Sequence, residues 1–140
     1  MTKIVKRQLQ EKKDNLLKIY QGLKKLQRFT LKNLKENIEN TWAVTFGIVA
    51  AIEAVLDIAQ YILAEKGVKS ESYGQIPTRL LENKIINQKF KDELQKMIGF
   101  RNRAIHNYPS LDETQLHEIL QKDIEGFKKF LKIVEKLNLK

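Results

Sequence analysis

Apolar residues recur at helical spacing along nearly the whole chain. Leu16, Ile19, Leu23 and Leu26 step by 3, 4 and 3, an apolar stripe that predicts a first helix over about 4–36. Phe46, Val49, Ile52, Leu56, Ala59 and Leu63 form the stripe of a second helix, about 40–66, with Gly67 as its C-terminal stop. That segment is apolar over more than one face, so it belongs at the centre of a bundle or serves a subunit interface as well. The stretch from Lys69 to Pro77 reads as a loop, and Pro77 opens a short helix over about 77–83. A fourth helix follows over about 87–107, with Phe90, Leu94, Met97, Ile98 and Ile105 inward, and Pro109 ends it. Ser110 and Glu113 have capping-box spacing for a last helix, about 111–137, whose stripe is Leu116, Leu120, Ile124, Phe127, Leu131 and Val134. The expected architecture is all-α, an up-and-down four-helix bundle with one short extra helix, in a single domain over residues 1–140.

Composition narrows the function classes. The chain has no Cys, which excludes disulfides and thiolate metal sites. Two Pro and six Gly are few for the many turns of an all-β chain. The longest nearly apolar run, Trp42 to Ile52, falls short of the ~20 residues a bilayer span requires. The N-terminal residues hold no apolar signal segment, so the expected setting is the cytoplasm, without a membrane. The net charge of +9 is unevenly placed. Residues 1–36 hold 11 Lys+Arg against 3 Asp+Glu, and residues 37–140 hold 15 against 14. Lys18, Lys25, Arg28, Lys32 and Lys35 form a basic stripe opposite the apolar stripe of the first helix. Such a stripe is either a solvated face or a salt-sensitive attraction for RNA phosphates.

One segment is chemically loaded. Residues 99–109, GFRNRAIHNYP, bring two arginines, two asparagines, a histidine and a tyrosine to a helix end. Cations there are favourable against the helix dipole whatever else they do. The spacing Arg101-x4-His106-x-Tyr108 matches the R-x4-H-x-Y signature of HEPN-domain proteins. With Phe100 and Asn102 it resembles the fuller motif of the HepT toxins of the HepT–MntA type. The run IVAAIEAVLDIAQ over 48–60 resembles the second helix of that family. Ser72 and Tyr73 in the loop, and the turn LLENKII over 80–86, resemble it too. The similarity covers about residues 40–135.

The resemblance implies an RNA-cleaving bundle, a toxin that works as a homodimer without metal or other cofactor. It also implies a partner nucleotidyltransferase antitoxin that attaches adenylate to Tyr108. The chemistry is consistent with the residue types. An imidazole with a reference pKa of ~6.5 serves as base or acid near neutrality, the part for His106. Arg101 offers phosphate oxygens a permanent cation with a planar donor fork. Asn102 is expected to orient His106 or the phosphate. Five residues at ~100° each set Arg101 and His106 about 140° apart on an ideal helix, so Arg101 must reach around, the helix must deform, or the two residues must act across a dimer.

Other residues leave alternatives open. Glu53 and Asp57, one turn apart on the apolar second helix, are either a solvent-facing strip or partners for Arg101 or Arg103, one of them orienting the catalytic arginine. Arg103 reads as a surface charge or a phosphate contact, His117 as a surface residue, and Trp42 and Phe46 as core or interface anchors. Two rival functions remain: a non-catalytic substrate-binding subunit of a nucleotidyltransferase, or a basic helical RNA-binding module.

Overall fold

The computed structural model describes residues 2–137, so Met1 and residues 138–140 of the expected domain span lie outside it. Its regular elements are all helical among these residues. Seven α-helices follow in chain order: α1 Lys3–Leu26, α2 Leu31–Glu36, α3 Ile38–Glu65, α4 Ile76–Glu82, α5 Gln88–His106, α6 Glu113–Glu118 and α7 Glu125–Glu135. A five-residue π turn, Ile119–Asp123, joins α6 to α7. Four rods result: α1, α3, α5 and the α6–α7 pair. The all-α bundle expected from the periodicity is what forms.

α3 is the central rod. Val44, Ile48, Ala51, Ile52, Val55, Leu56, Ile58, Ala59, Ile62 and Leu63 are buried on several of its faces, and it touches every other α-helix. It ends where Gly67 takes a left-handed φ of 74°. The N–H groups of Gly67 and Val68 then bond back to Ala64 and Leu63 at 3.0 and 2.8 Å. As a helix, Ile38–Glu65 is long and apolar enough by length and composition to cross a membrane, which counting an uninterrupted apolar run missed. More than half of its apolar window is buried in the bundle, and Glu53 and Asp57 interrupt it, as suits a core helix. α1 lies against α3 so closely that a Cβ on Gly47 would sit 2.8 Å from Leu23 Cδ2.

Several boundaries differ from the sequence expectation. The first helix is broken in two at residues 27–30, because Thr30 caps a new helix. Its hydroxyl accepts the Asn33 N–H at 3.1 Å, and Asn33 Oδ1 accepts the Thr30 N–H at 2.9 Å. The basic stripe is therefore split, with Lys18 and Lys25 on α1, Arg28 in the break, and Lys32 and Lys35 on α2. All five are exposed. Pro77 is the second helical residue, since α4 starts at Ile76. Ser110 does not cap the last helix. It belongs to the 3-10 turn Tyr108–Ser110 around Pro109, where its hydroxyl donates to the Asn107 carbonyl at 2.8 Å. Asp112 caps α6 instead, accepting the Thr114 N–H at 3.0 Å, so Glu113 is the first helical residue.

The core stripes are largely as expected, with two exceptions. All six stripe residues of the last helix are buried. Phe46 is 76% exposed and Ile105 is 47% exposed. Ile105 follows Ile98 and Arg101 on the inward face of α5, one residue before the helix ends. Phe46 lies two turns before Glu53, on the face of α3 that meets solvent. Ile38 and Trp42, at helical spacing from Phe46, are exposed there as well.

Polar ties fix the outer rods. Gln27 Nε2 donates to the Leu120 carbonyl in the π turn at 3.0 Å, and Gln121 Nε2 donates back to the Gln27 carbonyl at 2.8 Å. The buried Tyr20 of α1 donates its hydroxyl to the Glu125 carboxylate of α7 at 2.9 Å, and Lys24 Nζ stands 3.2 Å from the same carboxylate. Burial, then the bond to and charge of Glu125, push the Tyr20 phenol up to about 12. The bond from Tyr20, followed by Lys24, holds Glu125 below the usual carboxylate range.

A raised phenol pKa means that the folded state keeps its proton when the unfolded state has lost it. The stability it contributes is present below pH 10 and is lost as pH rises towards 12. Tyr20→Phe should cost about 1 kcal/mol at neutral pH. In urea titrations repeated across pH 9–12, the wild-type advantage over the variant should shrink steadily as the phenol in the unfolded chain ionises.

Candidate active site at the end of α5

Arg101 sits where a hydrophobic residue would be expected. It follows Phe90, Leu94 and Ile98 by helical steps of 4, 4 and 3, so it continues the buried face of α5 towards α3. A cation on such a face needs an anion, and α3 supplies Glu53. Arg101 Nε and Nη2 both donate to Glu53 Oε1, at 3.3 and 3.2 Å. Nη1 donates to Asn102 Oδ1 at 3.0 Å. The guanidinium carbon lies 4.9 Å from the ring centre of Tyr73, in the 3-10 turn Tyr73–Gln75 before α4. The Arg101 side chain is 18% exposed and Glu53 is 45% exposed, so the pair lies at the surface edge of the core. Three of the five guanidinium N–H groups are engaged, which leaves two for a ligand.

His106 is the last residue of α5 and is exposed. The helix is regular through it, so Arg101 and His106 remain about 140° apart around the axis and ~7.5 Å apart along it. The helix does not deform to bring them together. Asn102 spends its carbonyl oxygen on Arg101, and no bond from it to His106 forms among the described residues. Tyr108 stands just past the helix end, partly buried, where Asn107 (φ −148°, ψ 57°) turns the chain out of α5 ahead of Pro109.

The acidic pair of α3 divides its work. Glu53 holds Arg101, whereas Asp57 pairs with Lys12 of α1 at 2.8 Å. Both are also solvent-facing, at 45% and 56% exposed. Arg103 is exposed on the other flank of α5. It lines a cleft of about 640 Å³ between α5 and the last helix, with Phe100, Lys96 and Lys122. On the same cleft, burial and then the charges of Glu118 and Glu93 raise the Asp123 carboxyl above its ordinary range. His117 is partly buried on α6, away from any cluster of metal-ligating residues among the described ones. The basic residues of α1 and α2 do not join the motif. Lys32 pairs with Glu36 at 3.7 Å, and Arg28 donates to the Lys25 carbonyl and lies over Phe29.

Sequence reasoning noted Tyr73 only as a point of family likeness and missed its place beneath Arg101. Nothing in the spacing of residues 73 and 101 announces the contact. The one available signal was an aromatic residue in an otherwise polar loop.

A family model described as "Ribonuclease HepT-like" matches residues 16–134, so the likeness extends into α1, beyond the 40–135 span that the motifs mark. The mRNA nuclease HepT of Shewanella oneidensis is 30% identical over 95 residues, covering 66% of this chain and 71% of that protein. A putative RNase of Archaeoglobus fulgidus is 28% identical over 93 residues, covering 66% of this chain and 70% of that protein. Among solved structures, the tri-AMPylated HEPN toxin of S. oneidensis in complex with MNT antitoxin aligns with a TM-score of 0.85 at 23% identity. That alignment covers 98% of this chain and 100% of the other and speaks for a shared fold. With the bundle, the motif at the end of α5 and a family match across most of its length, the chain belongs to the HepT-like ribonuclease family.

Proposed function

We propose that this protein is an endoribonuclease toxin that cleaves RNA without a metal ion, acts as a homodimer in the cytoplasm, and is silenced by a nucleotidyltransferase antitoxin that adenylylates Tyr108. The observation that carries this reading is the state of Arg101. It is fixed in direction by Glu53 and Asn102, with two N–H donors left over, on the helix whose exposed end bears His106. A donor fork held in place before substrate arrives stabilises developing phosphate charge without reorganising.

The reaction follows from those groups. His106 takes the proton of an RNA 2′-hydroxyl, and the 2′-oxygen attacks the adjacent phosphorus. The new 2′-O–P bond forms as the P–O5′ bond breaks, leaving a 2′,3′-cyclic phosphate and a 5′-hydroxyl. A protonated imidazole returns the proton to that 5′-oxygen. Arg101 holds the non-bridging oxygens while charge builds on them. The angular gap between Arg101 and His106 on one helix favours a site completed by a second copy of the motif. The uncovered face of Ile38, Trp42 and Phe46, beside the end of α5, is the surface that a second copy would bury. Adenylate on Tyr108, two residues from His106, would add bulk and negative charge where a polyanion must enter. The positions of Lys18, Lys25, Arg28, Lys32, Lys35 and Arg103 suit a supporting, salt-sensitive part in RNA attraction.

His106→Ala should abolish RNA cleavage and growth inhibition with the helical circular dichroism unchanged; retained cleavage by a clean preparation would overturn the assignment. Tyr108→Phe should remain intact to mass spectrometry, with no added adenylate, when co-expressed with the partner nucleotidyltransferase. Phe46→Glu, at a residue already exposed in the single chain, should halve the particle mass in light scattering without lowering the thermal midpoint by more than a few degrees.

A further inference from the structure

Glu53 and Asn102 hold the Arg101 guanidinium by its N–H edges. The guanidinium carbon also lies over one aromatic ring, that of Tyr73, 4.9 Å from the ring centre. We propose that Tyr73 is a positioning residue for Arg101: its ring is the floor that holds the guanidinium plane level, so that the two unengaged N–H groups project towards the scissile phosphate. This rests on the ribonuclease reading above.

Tyr73 is well placed for that role because it is itself held. It opens the 3-10 turn Tyr73–Gln75, which the Gln75 side chain braces by accepting the Glu71 N–H at 2.8 Å. The next two residues, Ile76 and Pro77, are buried and anchor the turn to the bundle. The ring packs against the hydrophobic core, whereas the phenolic hydroxyl makes no hydrogen bond among the described residues. The ring and not the hydroxyl is therefore the working part. Arg101 is shielded enough for a cation–π contact to count, and its Glu53 partner is half exposed and would not by itself stop the plane from tipping.

The test compares Tyr73→Phe with Tyr73→Leu on two readouts. The first is RNA cleavage under saturating and limiting substrate. Tyr73→Phe should stay within about twofold of wild type, while Tyr73→Leu should lose about tenfold in kcat with KM little changed. The second is the Arg101 Nε–H resonance, assigned by its absence in Arg101→Lys. Shielded by the ring in wild type and in Tyr73→Phe, it should move downfield in Tyr73→Leu. Both variants are checked for wild-type thermal midpoints. An unmoved resonance in Tyr73→Leu overturns the proposal, as does equal loss of activity in both variants. If wild-type protein fails to cleave RNA, the ribonuclease reading falls, and the resonance still decides whether Tyr73 positions Arg101.

Discussion

A charged group on the inward face of a helix governs the working end of this molecule. Arg101 stands where the stripe of α5 would otherwise continue with an aliphatic residue. Leaving it there unpaired would be strongly unfavourable, so the central rod must carry a carboxylate at the matching level. Glu53 answers that requirement, and it is why the most apolar helix of the chain tolerates an acid in its middle. The pair also ties the end of α5 to the middle of α3, while the face of Ile38, Trp42 and Phe46 on the N-terminal part of α3 is open. One ion pair thus links the placement of the chemistry to the placement of the surface a second copy would cover.

The same pair separates two kinds of cation. Arg101 is held on three sides by groups from α3, α5 and the loop before α4. Lys18, Lys25, Lys32 and Lys35 of α1 and α2, and Arg28 between them, are exposed and make at most local contacts. A fixed cation suits stabilisation of a transition state, whereas mobile surface cations suit attraction at a distance. The excess charge of the chain and its proposed chemistry therefore occupy different parts of the fold.

Much of the architecture was legible in the sequence because helical periodicity is a local property. The stripe of the last helix and the ends of α5 came out nearly residue by residue. The failures have physical causes. The break at residues 27–30 depends on a Thr-x-x-Asn cap inside a segment whose apolar period does not falter. Ser110 has the spacing of a cap, but the turn around Pro109 draws it into a 3-10 helix instead. Phe46 and Ile105 were placed inside because periodicity assigns a face, while burial needs a neighbour at the same level. At the site, the motif spacing named Arg101, His106 and Tyr108. Glu53 was legible only as an oddity, a carboxylate in an apolar helix, and Tyr73 hardly at all, since its contact crosses 28 residues of chain.

The π turn between α6 and α7 bears on how this chain tolerates length changes. Within Ile119–Asp123 the backbone bonds span five residues, as in Ile124 N–H to Ile119 at 3.2 Å, so the helix holds one residue more than a regular α-helix would there. Deleting one residue from the turn would restore regular winding and leave the residues on either side at their present angles, because the wide turn already absorbs the extra residue. Phe127, Phe130, Leu131 and Val134 would keep their places in the core beside Leu116 and Leu120. A deletion within α7 itself has no such slack, since it would rotate everything after it by ~100° and carry the later stripe residues away from the core. The π turn is therefore a point of tolerance in a rod whose regular part has none.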